Sequence, residues 1–524
     1  MRAANEVKRS EDRIAGGVAW MRAGYALALA VSVGLWFVAL ASPLWLDETG
    51  SYWEIKDGFV RLWSRDFASL SFPAYTSILW LATKALGTSE IALRIPSVLA
   101  MLGAAYLLYL AARELFDREI AVVATIIFCA HPIVAFAAID ARPYAFAALA
   151  ANAAILAVLR MRKSESTRLA ALWGLSAALI LYFQYLFAVI LPALLICFFA
   201  VKKDDRRAMW RQLGVATAVF GAACLPLVPG LYSMFRTSAS HVYEPAAQWM
   251  DLLWTLAPDW TLVVWAGAGF AALLAAAAWP KRRGPRESVN GWTVLECAAL
   301  AFVPLLILFG VSAFTPIHMF PPRHRLIAVP GIALCWAFAV SRFRMPAIRV
   351  LFCAALAAAA AYQVFSVPAK RGHSYTWKYA LAAAEKNAVP DDAPVLICSD
   401  FPESDTVAMP LGSAKESRYF AQLSYYKLSV PVVPLPRSLN AEAMRVGSQF
   451  LQQATQKHER FLAVAYGPSF PTLEWLTAQS ASAFSVRELG VYDRVKVLEF
   501  VPRASSGAGR GAGKSRGAGA NVVQ

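Results

Sequence analysis

Residues 19–54 read AWMRAGYALALAVSVGLWFVALASPLWLDETGSYWE, an apolar run that leads directly into two acidic residues, Asp47 and Glu48. A membrane-spanning helix needs roughly 20 apolar residues, and the part up to residue 41 has that length. Its apolar core is too long for a signal peptide, and no small-residue cleavage site precedes the acidic pair. The sequence therefore predicts a transmembrane helix at 19–41 with the acidic pair at one surface of the membrane.

The whole chain has the composition of a membrane protein. Of its 524 residues, 58% are hydrophobic and 16% are charged, whereas soluble domains carry about 25% charged residues. The net charge of +16 comes from short Lys and Arg clusters between apolar runs, not from one basic stripe, so no nucleic-acid partner is expected. Most of the seven cysteines lie inside apolar segments, which excludes a disulfide framework.

Apolar runs of spanning length recur as far as residue 366. They predict about eleven transmembrane helices embedded in the lipid bilayer. The predicted spans are 19–41, 91–112, 119–138, 143–160, 167–183, 184–201, 211–231, 261–279, 292–313, 323–340 and 347–366.

One further apolar stretch, 72–86, is too short to be placed by its length alone. If it does not cross, the Lys and Arg clusters at 160–168, 202–211 and 281–286 all lie in the cytoplasm, as the positive-inside rule requires. We therefore expect 72–86 to be a juxtamembrane helix on the outer face. The N-terminus is then cytoplasmic, and the chain beyond residue 366 lies on the periplasmic or extracellular side of the plasma (inner) membrane.

The sequence changes character after residue 366 and predicts a small extracytoplasmic α/β domain at 367–502. Its predicted elements are a helix at 376–388 and buried strands at 395–401, 461–466 and 495–500. The tail 503–524 is rich in Gly, Ala and basic residues and lacks the apolar residues that offset ordering entropy, so we expect it to be disordered. The predicted fold is thus an all-α polytopic membrane domain, 1–366, with a small α/β domain attached.

Polar and ionisable residues collect at the outer turns of this topology. Such groups are costly in or near hydrocarbon, so a cluster of them at one depth indicates function. The candidate site residues are Asp47, Glu48, Tyr75, Asp140, Arg142, Tyr144, Gln184, Tyr185, Arg323 and His324.

Each of these motifs also has a purely structural interpretation. The acidic pair after the first span could cap that span in solvent. Asp140 and Arg142 could pair locally and cap the next helix, which Pro143 would begin. The basic run 323–325 could reach the interface as membrane anchors, and residues 184–185 could form a polar turn.

The order of these motifs resembles that of the GT-C membrane glycosyltransferases, in the bacterial branch related to protein O-mannosyltransferases and to the aminoarabinose transferase of lipid A. The resemblance covers roughly residues 20–335. The motifs that carry it are Asp47-Glu48, Arg94-Ile95-Pro96-Ser97, Asp140-Ala141-Arg142-Pro143-Tyr144 and Arg323-His324, the last in place of the Arg-Tyr of many relatives.

The resemblance implies an inverting transferase that takes a sugar from a polyprenyl-phosphate donor. The acceptor would be a hydroxyl of a glycolipid, a cell-envelope glycan such as lipopolysaccharide, or a protein. Asp47 would be the general base, and Glu48 would share that role or orient the acceptor. Asp140 would contact the acceptor or the sugar. Arg323 and Arg142 would stabilise the departing lipid phosphate through paired hydrogen bonds.

The chain departs from the family pattern at two positions. Phe72 and Gln184 stand where many relatives have histidine, so two candidate metal ligands are missing. No pair of outer-side histidines has the i, i+4 spacing of a metal-binding helix. A divalent metal therefore stays open as an alternative, and the co-substrate that we expect is the polyprenyl-phosphate sugar.

Two other classes of function remain as alternatives. A multi-pass transporter or flippase of a lipid-linked or amphipathic substrate would also need many spans, but transporters tend to carry polar residues at the midplane and internal repeats. The span interiors here are mostly Ala, Leu and Val, and no repeat is evident. A non-catalytic scaffold for the C-terminal domain would need no acidic residues at the outer turns.

Overall fold

The computed structural model of the protein describes most of the chain. The described residues are 19–68, 73–200, 206–237, 246–257, 291–343, 345–366, 377–388, 394–406 and 416–503. The predicted span 261–279, the predicted domain start at 367 and the tail beyond residue 503 lie outside them. The chain divides into two compact units, the first formed by Met1–Lys378 with Ala421–Tyr426 and the second by Tyr379–Phe420 with Lys427–Gln524.

The first unit is helical in the part of the chain that the structure describes. In chain order its helices are α1 (Ala19–Ala39), α2 (Leu46–Ile55), α3 (Phe59–Ala68), α4 (Ala74–Leu86), α5 (Glu90–Leu115), α6 (Arg118–Ala130), α7 (Pro132–Ala138), α8 (Tyr144–Arg160), α9 (Thr167–Phe183), α10 (Tyr185–Phe199), α11 (Arg206–Tyr232), α12 (Trp249–Leu256), α13 (Gly291–Phe314), α14 (Pro322–Ser341), α15 (Pro346–Ser366), α16 (Trp377–Asn387), which begins in this unit, and α17 (Ala421–Tyr425).

The long apolar helices confirm a multi-pass membrane protein. Among the described residues, six helices (α1, α5, α11, α13, α14 and α15) are long and apolar enough to cross a membrane. The pair α6 and α7, bent by 70°, is a seventh candidate, and α8, α9 and α10 are shorter apolar helices. Every predicted span in the described ranges thus falls on an apolar helix, while the predicted number of eleven is confirmed only in part.

Within the apolar stretch 72–86, residues Ala74–Leu86 form α4, a helix of 13 residues. At 1.5 Å per residue it is about 20 Å long, which is less than the roughly 30 Å of bilayer hydrocarbon. Gly87 ends the helix with a φ of 80°, a conformation that glycine adopts without a steric penalty. The length of α4 is therefore that of a helix that does not cross.

The bend between α6 and α7 is built by His131 and Pro132. His131 caps α7, because its Nδ1 accepts the N–H of Ile133 at 3.2 Å, and Pro132 occupies the first turn. The other ring nitrogen, Nε2, lies 3.1 Å from the carbonyl oxygen of Thr255. α7 is followed by a turn that leads to α8, and Asp140 lies in this turn.

The helices pack closely through small residues. In α8 the buried Asn152 donates from Nδ2 to the carbonyl oxygen of Ala104 in α5 at 2.9 Å. Gly331 of α14 faces the backbone of α13, and a Cβ placed there would lie 2.2 Å from both the nitrogen of Ala301 and the carbonyl carbon of Leu300. Membrane helices that lack a hydrophobic driving force for association depend on such close backbone approach.

The second unit contains a five-stranded sheet in the order β2-β1-β3-β5-β4. Its described elements are β1 (Val395–Cys398), β2 (Val432–Leu435), α18 (Ala441–Lys457), β3 (Phe461–Tyr466), α19 (Phe470–Ser480), β4 (Phe484–Tyr492) and β5 (Val495–Pro502). β1 is parallel to β2 and β3, whereas β5 is antiparallel to β3 and β4. The predicted C-terminal α/β fold is thus confirmed, with β2 and β4 added to the three predicted strands.

Replacing Gly331 by alanine tests the close approach of α13 and α14. The added methyl group would overlap backbone atoms, so we expect Gly331→Ala to lower the free energy of unfolding by about 1–3 kcal/mol. Gly310→Ala is the matched control, because a Cβ at this helical glycine meets nothing within 4 Å. Thermal unfolding in detergent measures both. Equal melting temperatures for the two variants would contradict the packing described here.

Candidate active site

The core of the candidate site is an ion pair between Glu48 of α2 and Arg94 of α5. Arg94 donates from Nε to Glu48 Oε1 at 2.7 Å and from Nη2 to Oε2 at 2.6 Å, and both side chains are fully buried. This two-point geometry matches the planar guanidinium to the planar carboxylate. The pair therefore ties α2 to α5.

Glu48 also binds two backbone groups. Its Oε2 accepts the N–H of Trp45, just before α2, at 3.2 Å, as an acidic residue in the first turn of a helix often does. Its Oε1 accepts the N–H of Ala141 at 2.9 Å, in the turn between α7 and α8. With four hydrogen bonds, the Glu48 carboxylate has used its ordinary accepting capacity.

Arg94 holds the chain between α1 and α2. Its Nη1 donates to the carbonyl oxygens of Leu40 and Ser42 at 2.9 and 2.6 Å, and its Nη2 donates to that of Pro43 at 3.1 Å. These carbonyls follow the last turn of a helix, where backbone acceptors have no partner within the helix. The Arg94 side chain thus provides hydrogen-bond donors for the carbonyl oxygens of this loop and fixes the start of α2.

Asp47 has the opposite environment from its neighbour Glu48. Its side chain is partly exposed. Its hydrogen bonds with Ser51 and Arg142 are made by the backbone carbonyl, and its carboxylate accepts none from the groups that the structure describes. Asp47 lies in the first turn of α2. Asp47 therefore carries an accessible carboxylate on a firmly held helix.

Asp140 is fully buried in the turn that Glu48 holds. Its Oδ1 accepts the indole N–H of Trp45 at 3.0 Å, and its Oδ2 has no hydrogen-bond partner in the described structure. Burial and then the negative charge of Glu48 raise the pKa of Asp140 well above its usual range. A neutral carboxyl group here would have an O–H to donate from Oδ2.

The basic and aromatic candidates gather around Tyr144. Tyr144 is buried, and the charges of Arg142, Arg323, Asp47 and Asp140 all act on it. The Nη1 of Arg142 also lies 3.5 Å from the carbonyl oxygen of Asp47, and its buried Nε has no partner in the described structure. Arg142 is therefore the guanidinium group that this distance places beside Asp47, and Arg323 acts on the same tyrosine.

Four other predicted site residues take different positions. The ring of His324 lies 6.2 Å from that of Tyr144, and its Nδ1 lies 3.3 Å from the carbonyl oxygen of Met319. Tyr75 is buried and experiences the charges of Asp140, Arg142 and Glu48. Tyr185 is 40% exposed and interacts electrostatically with Tyr144. Gln184 ends α9, and no contact with the acidic residues of the site is described for it.

The structure suggests no metal ligand set in the residues that it describes. No group of three or more His, Cys, Asp or Glu side chains is arranged there to hold an ion. Of the nearby acids, Glu48 is bonded to Arg94 and Asp140 to Trp45. The residues described here thus do not form a metal site.

Sequence reasoning missed two residues that build the site. Arg94 was noted only as part of a family-like run, although an arginine inside an apolar span is costly and indicates a buried partner. Trp45 was not among the predicted site residues, yet its indole N–H binds Asp140 and its backbone N–H binds Glu48. The first could have been found from its cost in the membrane, but the second carries no such signal.

Comparison with known families gives one match to a sequence family. The family model described as dolichyl-phosphate-mannose-protein mannosyltransferase matches residues 72–232. This region contains Tyr75, Arg94, Asp140 and Arg142. No curated protein matches the chain.

Comparison with solved structures supports the predicted architecture. ArnT from Cupriavidus metallidurans bound to undecaprenyl phosphate aligns with a TM-score of 0.53 and 14% identity, over 90% of this chain and 97% of that one. ArnT from the same organism in the apo state aligns with a TM-score of 0.53 and 13% identity, over 92% and 98%. At this identity the likeness concerns the fold, and it confirms the predicted GT-C architecture.

The Glu48→Gln substitution tests the role of the buried ion pair. The amide leaves the Arg94 charge buried without a countercharge, which typically costs about 3–5 kcal/mol. We expect a large fall in the melting temperature of the purified protein. Asp47→Asn is the matched control, because the neighbouring carboxylate makes no hydrogen bond that the substitution would break. Similar melting temperatures for the two variants would contradict the assignment.

Proposed function

We propose that this chain, which has the GT-C fold and is related to the protein mannosyltransferases and to ArnT, transfers a sugar from a polyprenyl-phosphate donor to an acceptor hydroxyl. The observation that carries the proposal is the contrast between adjacent acids. Both carboxylate oxygens of the buried Glu48 accept hydrogen bonds, whereas Asp47 is partly exposed and its carboxylate accepts none from the described groups. Two titratable groups held in opposite environments are typical of acid–base sites.

Asp47 is the general base in this proposal. A base has to reach the acceptor proton, so it must be accessible and have an oxygen that is not already engaged. Asp47 meets both conditions, whereas Glu48 meets neither. We therefore assign Glu48 to positioning and not to proton transfer. A single base acting on the acceptor, with the carrier phosphate leaving from the other face of the sugar, inverts the anomeric carbon.

Arg142 and Arg323 bind the carrier phosphate. A guanidinium presents paired donors to phosphate oxygens, and the charge of the leaving group grows as the bond to the sugar breaks. The buried Nε of Arg142 without a partner is suited to this contact. ArnT of Cupriavidus metallidurans was solved with undecaprenyl phosphate, which supports a polyprenyl carrier for this chain also. A phosphate needs no proton to leave near neutral pH, so the mechanism needs no strong general acid.

Asp140 and the aromatic residues hold the sugar and the acceptor. A neutral Asp140 donates a hydrogen bond from Oδ2 to a sugar or acceptor oxygen, while Trp45 keeps Oδ1 in place. Tyr144, Tyr75, Tyr185 and His324 complete this binding region. Gln184, at the end of α9, is assigned to substrate binding outside the group of acidic residues.

The reaction takes place on the non-cytoplasmic face, where the positive-inside rule puts the turns that carry the site. The acceptor class is a hydroxyl of a glycolipid, a cell-envelope glycan or a protein. A protein that moved the lipid-linked substrate across vesicles without transferring its sugar would instead be the transporter considered above.

The Asp47→Asn variant tests the base. We expect its turnover to fall by a factor of about 10²–10⁴, because the amide cannot accept the acceptor proton. The assay follows radiolabelled sugar leaving undecaprenyl phosphate in proteoliposomes, with the sugar that the wild type uses fastest. Glu114→Gln is the control. Glu114 pairs with Arg160 and Lys163, and it lies about 30 Å along α5 from Arg94. Full activity in Asp47→Asn would mean that another group is the base.

Substitutions of Asp140 test whether its neutral carboxyl group is the form that binds the substrate. Asp140→Asn keeps an acceptor for Trp45 and a donor in place of the O–H, so we expect kcat/KM to stay within about tenfold of the wild type. Asp140→Leu removes both and should lower kcat/KM by a factor of about 10² or more. The same transfer assay measures both variants. A loss in Asp140→Asn as large as that in Asp140→Leu would indicate that the charged form is required.

A further inference from the structure

A short segment from the C-terminal half of the sequence belongs to the first unit. Residues Ala421–Tyr426 lie with the membrane unit, although the residues on either side of them are assigned to the second unit. The helix of this segment, α17, packs against α2, which carries Asp47 and Glu48. The segment is therefore a structural part of the region that holds the candidate base.

Two adjacent tyrosines make the polar contacts of this segment. The backbone N–H of Leu44 donates to the hydroxyl oxygen of Tyr426 at 2.7 Å. The Tyr425 hydroxyl donates to the carbonyl oxygen of Thr88 at 2.8 Å, in the turn before α5. One tyrosine thus bonds to the chain leading into α2, and the other bonds to the chain leading into α5.

The rings of the two tyrosines lock together with a residue of α2. Tyr425 packs edge-on against Tyr52, with ring centroids 4.9 Å apart and an interplanar angle of 83°. Tyr425 and Tyr426 are themselves 4.8 Å apart at 89°. Such edge-to-face pairs stabilise the contact beyond the area that they bury. The rings therefore hold the Tyr426 hydroxyl at a fixed position.

The bond to Leu44 completes the backbone pairing in front of Asp47. Arg94 donates hydrogen bonds to the carbonyl oxygens of Ser42 and Pro43, and Glu48 accepts one from the backbone N–H of Trp45. Leu44 is fully buried, so without Tyr426 its N–H would have no solvent to replace the lost partner. Tyr426 thus supplies the hydrogen-bond acceptor for Leu44, which neither Glu48 nor Arg94 provides.

We propose that Tyr426, held by Tyr425, is a positioning residue that fixes the backbone in front of Asp47 and thereby the geometry of the base. The catalytic part of this proposal rests on the proposed function. A segment from the predicted C-terminal domain would then influence the transfer step indirectly, because it sets the position of the Asp47 carboxylate relative to the acceptor. Misplacement of a reacting group by about 1 Å can cost a factor of about 10².

The same segment offers a matched control. Gln422 lies one helical turn before Tyr426, is fully buried, and its side-chain amide has no hydrogen-bond partner in the described structure. Gln422→Met keeps the volume and removes two unpaired polar atoms, so it changes the packing of α17 without removing a bond to α2. It reports what a purely structural change in this segment does.

The experiment compares Tyr426→Phe with Gln422→Met in the full-length protein. Tyr426→Phe keeps the ring and removes only the oxygen that accepts the Leu44 N–H. We expect its kcat to fall by a factor of about 10 or more, with the KM for the undecaprenyl-phosphate sugar within about twofold of the wild type. Hydrogen–deuterium exchange of folded, monodisperse protein should be faster for the Leu44 amide in Tyr426→Phe only, and Gln422→Met should match the wild type in both measurements.

Unchanged exchange at Leu44, or faster exchange with unchanged kcat, would overturn the proposal. An equal fall of kcat in Gln422→Met would also overturn it, because the effect would then belong to the packing of the segment. A wild-type protein that transfers no sugar would count against the proposed function. The exchange measurement needs no substrate and would still decide whether Tyr426 fixes this backbone.

Discussion

The buried ion pair between Glu48 and Arg94 is the constraint on which the membrane unit depends. Removing two charges from water is expensive, and the cost is offset only when geometry is good and the remaining hydrogen-bonding capacity is used. Here the pair forms two direct hydrogen bonds, and its other donors and acceptors reach the loop before α2 and the turn at Ala141. One interaction thus connects α1, α2, α5 and the turn before α8.

This arrangement explains how two neighbouring acids come to have different environments. Successive residues on a helix point about 100° apart, so an orientation that buries Glu48 against α5 turns Asp47 away from it. The Asp47 carboxylate, which we propose as the base, is thereby carried by a helix that both the ion pair and Tyr426 hold in place. A preorganised base of this kind needs little rearrangement when the acceptor arrives.

The sequence predicted the parts of the structure that depend on strong, local patterns. Long apolar runs located the helices, and the buried runs of β1, β3 and β5 located the centre of the sheet. β2 was missed because it is a short edge strand that contains Pro434, and β4 because its charged residues Arg487 and Glu488 lie on a largely solvent-facing edge. The candidate site was predicted as a group of residues. The division of roles between Asp47 and Glu48 depends on tertiary contacts that no sequence spacing contains.

The central claim is that Asp47 stands beside a site for a polyprenyl-phosphate sugar that Arg142 and Arg323 hold by its phosphate. The most direct measurement is photo-crosslinking of the wild-type protein with an undecaprenyl-phosphate analogue that carries a photoreactive group next to the phosphate, followed by peptide mapping. We predict adducts within residues 140–144 and 322–325 that excess undecaprenyl phosphate suppresses. Adducts only at other positions, or equal labelling of these residues by the corresponding undecaprenol without phosphate, would contradict the account.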